Sequence, residues 1–461
     1  MVSLPEFLTV CFIRGQSFCY IEYMKILRML LILFLLLSNA HAFALDVAEY
    51  TLKNGLKVLI LEDHKAPTAT FQVWYRVGSR DENVGKTGLS HLLEHMMFKG
   101  TKEHGPKTFS RAIQRAGGTD NAFTSREYTG YFELLASDRI GLPIELEADR
   151  MVNLALTKDA VLSERDVVME ERRLRYEDDP QGLVYEQAMA TAFMNHPYRW
   201  PVIGWMSDLK ALDPDDLINH YRTYYTPNNA VIIVVGDVKK EEILSKVTAV
   251  FGGIPAGPPI KAVKIEEEEQ KGERRFFVKK EAELPFIVSA YKVPDIKHED
   301  GFALDVLGSI LSEGKSSRLY QSLVYKQQIA LSAWASYEGL YKDPFLFLTG
   351  ATASSGKSVE EVEKAINDEL DNIKKEPPSE GEVQKAKNQI EASFIMGQDS
   401  IYMQARMIGT FEMIGGWRLW EKYIDGIRKV SPEDVRRVAA KYLVPDTRTT
   451  GILIPLKGDR Q

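Results

Sequence analysis

Two hydrophobic periods alternate along the chain. Apolar or alternating runs at 68–77, 131–136 and 230–235 read as strands, whose side chains point to opposite faces every second residue. Longer stretches at 140–156, 160–176 and 358–375 place apolar residues three and four apart, the spacing of a helix with one buried stripe. Strands and long helices are mixed throughout. This pattern predicts an α+β protein with helices packed on one face of a mostly antiparallel sheet.

The pattern also occurs twice. Asp213 to Pro227 reads as a helix and turn and leads into the apolar run Ala230–Val235. Ser431 to Pro445 repeats it and leads into Thr450–Pro455. Pro214 pairs with Pro432, Tyr224 with Tyr442 and Pro227 with Pro445, all at an offset of 218 residues. Pro214 and Pro432 each follow an Asp or Ser cap, a position where the missing N–H is not needed. Phe71–Gly78 and Phe286–Val293 are matching strands, each followed by a helix, from about Gly88 and about Gly301. Tyr75 aligns there with Tyr291 at an offset of 216. Between the copies, a Pro/Gly-rich stretch and then the acidic run Glu266–Glu269 read as a flexible, solvated linker. The expected organisation is an extension at 1–44, a first α+β unit at 45–252, a linker at 253–273 and a homologous second unit at 274–461. Two such halves can enclose a space between them.

Composition narrows the class. The 461 residues are 44% hydrophobic and 27% charged, a globular mixture that excludes wholesale disorder and a many-pass membrane protein. A net charge of −7 gives no electrostatic reason to bind nucleic acid. Lys25 and Arg28 accompany the apolar run Ile26–Leu37, which falls short of the about 20 residues a membrane span needs. Ala40-His-Ala42 and Ala42-Phe-Ala44 follow as small-x-small cleavage sites. This is the layout of a cleaved export signal, so a periplasmic protein is expected in a Gram-negative host and a secreted one otherwise, with no lasting membrane insertion. Met24-Lys-Ile opens a compact version of the signal, so residues 1–23 are expected to be an over-extended start. The only cysteines, Cys11 and Cys19, precede the apolar run. A thiol-free mature chain has to build any metal site from His, Asp and Glu.

The segment Gly88-Leu-Ser-His91-Leu-Leu-Glu94-His95-Met-Met-Phe supplies such a site. On a helix, His91 and His95 are one turn apart and share a face, so both imidazoles can grip one ion. Glu94 lies on the same side and reaches a metal-activated water without being a ligand. The order is H-x-x-E-H. With only eight histidines in the chain, a chance match is rare. A catalytic zinc needs three protein ligands and an open position. The helical stretch Ser163–Arg173 offers Glu164, Glu170 and Glu171, and spacing alone leaves all three in play.

Three segments together carry a family resemblance: Gly88 to Thr101, Gly117-Gly-Thr-Asp-Asn121-Ala-Phe-Thr-Ser125, and Glu164-Arg-Asp-Val-Val-Met-Glu-Glu171. With the duplication, they make the chain resemble the pitrilysin/insulinase family of zinc peptidases, in the short-subunit branch that includes mitochondrial processing peptidase. The resemblance implies two α/β-roll halves forming a clamshell around a chamber. It implies a zinc metalloendopeptidase that cuts peptides or unfolded segments, with one Zn2+ held by His91, His95 and Glu171. It implies Glu94 as general base and Glu164 as a second acid that orients the site. Asn121, Ala122 and Phe123 resemble the family's substrate-binding edge strand, where an extended peptide adds to the sheet through main-chain bonds.

The second half departs from the pattern. An offset of 216 sets Leu307, Ile310 and Leu311 opposite His91, Glu94 and His95, so no second metal site is expected. The family's substrate-binding Arg and Tyr, seven residues apart, fall at Val324 and Leu331, and neither side chain can donate a hydrogen bond. The resemblance therefore implies a heterodimer with a homologous, zinc-lacking partner that carries the Arg/Tyr pair. The competing arrangement is a homodimer or monomer in which Arg318 or Tyr325 substitutes. The alternative function is a non-catalytic assembly or peptide-binding subunit.

Overall fold

Strand-forming runs build two sheets in the computed structural model, which describes residues 46–456. The export signal, its cleavage sites and both cysteines lie outside the described residues. The first sheet comprises β1 (Ala48–Thr51), β2 (Lys57–Glu62), β3 (Thr68–Tyr75), β4 (Thr119–Thr124), β5 (Thr129–Ala136) and β6 (Ala230–Gly236), in the order β1-β2-β6-β3-β5-β4. The second comprises β7 (Arg274–Glu281), β8 (Phe286–Val293), β9 (Ala330–Glu338), β10 (Phe345–Ala353) and β11 (Arg448–Leu456), in the order β7-β11-β8-β10-β9. Each sheet has one parallel pair, β2 with β6 and β7 with β11; its other pairs are antiparallel.

The repeat holds down to strand register. Tyr75 lies opposite Ala230 across β3 and β6, and Tyr291 lies opposite Arg448 across β8 and β11. These are the 216 and 218 offsets of the sequence. A one-residue slip would turn every core side chain outward, so both copies keep the same pairing.

On the inner face of the first sheet, Phe71, Val73, Tyr75, Ile232 and Val234 form one core with Leu92, Leu93 and Met96 of α1 (Leu89–Met96) and Val161 and Val168 of α2 (Lys158–Arg172). The outer faces are buried as well. A helix of the first half, α3 (Pro180–Ala192), lies on β7, β8 and β11, and its Val184, Ala188 and Met189 pack with Phe286, Val288 and Leu453. In the second half, α4 (Asp300–Ser312) packs beneath β9. A further helix, α5 (Ile401–Ile414), lies on β3 and β6 of the first sheet. Each sheet thus carries its own helices on one face and a helix from the other half on the opposite face. Among the described residues, no helix is long and apolar enough to cross a membrane.

The acidic run before β7 differs from the expected solvated, flexible linker at one residue. Glu266, Glu268 and Glu269 are exposed. Glu267, however, accepts hydrogen bonds from the backbone N–H groups of Met194 (2.7 Å), Asn195 (2.9 Å) and His196 (2.9 Å), and from Lys292 Nζ (2.8 Å). Three successive amides after α3 form a concave anion seat, which a charge count along the chain cannot reveal.

Candidate metal centre

The motif helix is aimed by its core residues. Leu92, Leu93 and Met96 are fully buried, which turns His91, Glu94 and His95 toward the other side. The helix begins at Gly88, whose φ of +92° suits glycine and whose added Cβ would meet Ile203 O at 2.6 Å. Its first amides are satisfied from outside the helix. Glu82 Oε2 accepts from Gly88 N and Oε1 from Ser90 N, both at 2.7 Å. Burial pushes Glu82 up to about 8, against the pull of those two N–H donors.

His91 Nε2 stands 3.8 Å and His95 Nε2 3.3 Å from the same atom, Glu171 Oε2. One ligand atom from each residue lies within 4.8 Å of the others, and this is the one such cluster among the described residues. Tetrahedral zinc with bonds of about 2.0–2.1 Å sets its ligand atoms roughly 3.4 Å apart, so this N, N, O set fits the ion with little closing. Of the three acids that spacing left open, Glu171 joins the histidines. Glu164 stands behind them, with Oε1 3.0 Å from His95 Nδ1 and Oε2 paired with Lys99. Glu170 faces solvent and pairs with Arg173. Arg175 holds the other oxygen of Glu171 at 2.8 Å.

The electrostatics follow. Burial lowers His91 to about 4, helped by the charge on His95. Burial opposes charge on His95 too, but its hydrogen bonds to Glu164 and Glu171 win and raise it to about 9. These carboxylates favour a cation between them. Glu94 is held above the usual carboxylate range by burial, while the Thr124 hydroxyl donates to it.

β4, the edge strand of its sheet, ends beside Glu94 through that Thr124 contact. Asn121 is exposed and its Oδ1 accepts from Ala122 N at 2.8 Å. Ala122 packs on the core, and Phe123 lies 4.8 Å from the Trp74 ring with the Arg406 guanidinium 3.3 Å from its centroid. The sequence reading missed Thr124, although it sits inside the quoted motif. It also missed Glu82, for which no motif gives a signal.

The second half shows a different helix phase from the one expected. Leu307, Ile310 and Leu311 are core residues. The buried pairs Val306/Leu307 and Ile310/Leu311 match Leu92/Leu93 and Met96/Met97, and Gly314 matches Gly100, which makes the local offset 214. Asp305, Gly308 and Ser309 then correspond to His91, Glu94 and His95, because core burial rather than strand spacing sets a helix's rotation. None of the three is a histidine. Val324 packs against the core, Leu331 is 61% exposed and Tyr325 66% exposed. Arg318 is held by Glu382 at 2.8 Å.

Residues 57–204 match the model of Insulinase (Peptidase family M16), and residues 211–390 match that of the Peptidase M16 inactive domain. The chain belongs to peptidase family M16. It is 33% identical to the zinc protease PqqE of Helicobacter pylori over 90% of this chain and 95% of that one. It is 28% identical to a probable mitochondrial-processing peptidase subunit beta of Arabidopsis thaliana, over 89% of this chain and 78% of that one. The crystal structure of a protease from Helicobacter pylori superposes with a TM-score of 0.86 at 33% identity, covering 89% of this chain and 99% of that one. The residues of the H-x-x-E-H segment fall within the range matched by the Insulinase model.

Proposed function

We propose that this M16 chain is a zinc-dependent endopeptidase acting on peptides or unfolded segments. One observation carries the reading: three ligand atoms converge beside Glu94, a carboxylate that is not among them. His91, His95 and Glu171 hold the ion. A zinc ion held there would acidify a water and polarise the scissile carbonyl. Glu94 takes the proton of the attacking water and delivers it to the leaving amine. The Thr124 hydroxyl holds the Glu94 carboxylate in place. Glu164 accepts a hydrogen bond from the Nδ1–H of His95, which would leave the Nε2 lone pair free for the metal. The free edge of β4, at Asn121, Ala122 and Phe123, takes an extended substrate through main-chain bonds.

Val324 and Leu331 cannot stabilise a developing oxyanion, so a homologous, zinc-lacking partner supplies the Arg/Tyr pair. Residues 24–44 direct export, and the chain works in the periplasm or outside the cell. The test measures bound zinc and peptide cleavage on purified protein, with and without a candidate partner. Glu94→Gln is expected to keep its zinc while turnover falls by about a hundredfold or more. Near-normal turnover in that variant would overturn the base assignment, and full-rate cleavage by the lone chain would overturn the partner.

A further inference from the structure

The deeply buried arginines of the first half have carboxylate partners. Arg80 pairs with Glu127 at 3.0 Å, Arg172 with Glu186 at 2.8 Å, and Arg150 with Glu147. Arg126 does not. Its Nε is buried and has no acceptor. Its guanidinium lies 5.5 Å from the centroid of the Phe345 ring, and its polar neighbours are the hydroxyls of Tyr341, Tyr185 and Tyr176. Burial pushes all three phenols up, so each is neutral at working pH. Among the described residues Arg126 forms no ion pair. A partly buried cation with no counter-charge favours an anion that the described residues do not supply.

The location says which anion. Arg126 is two residues beyond Thr124, whose hydroxyl holds Glu94, so the two Cα atoms are at most about 7 Å apart. Tyr176 is five residues beyond Glu171, on the helical turn that continues α2. Tyr341 and Phe345 come from the second half. The cluster around Arg126 therefore joins the end of the edge strand, the end of the helix that carries Glu171 and the opposite half. A peptide extended along β4 places a residue every 3.3 Å or so, which brings a group two or three residues from the scissile bond to this cluster.

We propose that Arg126 binds a substrate carboxylate, an acidic side chain or a free C-terminus, within about three residues of the scissile bond. It is then a specificity-determining residue of the peptidase activity proposed above, on which this inference rests. The guanidinium fork suits a carboxylate, and the tyrosine hydroxyls add donors to the same oxygens.

The experiment uses the zinc-loaded protein, together with its partner subunit where cleavage requires one, and two sets of quenched fluorescent peptides. One set exchanges Glu for Gln at each of three positions on either side of the cut. The other compares a C-terminal acid with its amide. The expected result is a preference for the carboxylate member of one set by about tenfold or more in kcat/KM, and the set that shows it names the source. Arg126→Gln collapses that ratio toward one, and Arg126→Lys restores part of it. A ratio near one in the wild type, or an unchanged ratio in Arg126→Gln, overturns the proposal. If Arg126→Gln does not fold, the wild-type ratio and Arg126→Lys decide. If no peptide is cut, the peptidase reading fails separately, and binding of the same peptides to Glu94→Gln by fluorescence anisotropy still decides for or against Arg126.

Discussion

At the scale of single residues, His91, Glu94 and His95 were legible because their chemistry is compressed into two turns of one helix, where spacing is geometry. The third candidate ligand was not legible from spacing, since Glu164, Glu170 and Glu171 each suit a helix. Tertiary packing separates them: Glu171 reaches the histidines, Glu164 stops behind His95 and Glu170 points to solvent. This gives Glu164 a role that differs from ligation. Glu164→Ala leaves His95 Nδ1 without its acceptor and Lys99 without its partner. Zinc affinity is expected to fall by about ten- to a hundredfold, as for other outer partners of metal-bound histidines, while zinc stoichiometry at saturation stays at one. Titration against a competing chelator reads this directly. An unchanged affinity would make Glu164 a bystander of Lys99.

Elements bring in constraints that residue types do not announce. The N-terminus of α1 is capped by Glu82, six residues upstream of Gly88 and part of no helix period. Glu82→Ala leaves two buried N–H groups unpaired and is expected to cost about 2–4 kcal/mol. Because α1 carries both histidines, zinc content should fall along with the melting temperature, and metal analysis of the folded fraction checks this. The linker offers a pH test. Hydrogen bonds from Lys292 and three backbone amides overcome the effect of burial and lower Glu267 from 4.5 to about 2. A carboxyl with a depressed folded value stabilises the fold above 4.5, and this contribution is lost as pH falls through about 2. Glu267→Gln at neutral pH, or acidification of the wild type, should therefore speed proteolysis within 253–273. Equal cleavage rates in variant and wild type would show the seat to be without consequence. Four identical glutamates in a row gave no hint of which one is seated. For the same reason the phase of α4 was misread: strand offsets were carried onto a helix whose rotation is set by which side chains reach the core.

For the whole molecule, the duplication was readable and its consequence was not. Matching prolines and tyrosines revealed two copies of one unit, but nothing local in α3 or α5 says that each covers the other copy's sheet. The exchange makes the halves mutually dependent, since Thr70, Gln72, Trp74, Val231, Ile233 and Val235 are buried on the first sheet's outer face, the side on which α5 lies. Gly409 is a point of close approach. A Cβ there would stand 2.4 Å from Cε2 and Cζ2 of Trp74, and that indole is fully buried with Nε1 donating to Gln72 at 2.9 Å. The ring has no room to yield, so α5 must lift. Gly409→Ala is expected to destabilise by about 1–3 kcal/mol, although alanine is the better helix former. Gly397 supplies the control, because its added Cβ meets nothing within 4 Å, and Gly397→Ala should leave stability equal or slightly raised. Lifting α5 also moves Arg406 off Phe123, so the Gly409 variant should lose peptide binding at β4 before it loses zinc. Thermal unfolding of both variants, with metal content and peptide binding measured on the folded protein, tests the whole chain of dependence. A Gly409→Ala protein that melts like Gly397→Ala would mean that α5 is not seated on Trp74 and that the halves stand independently.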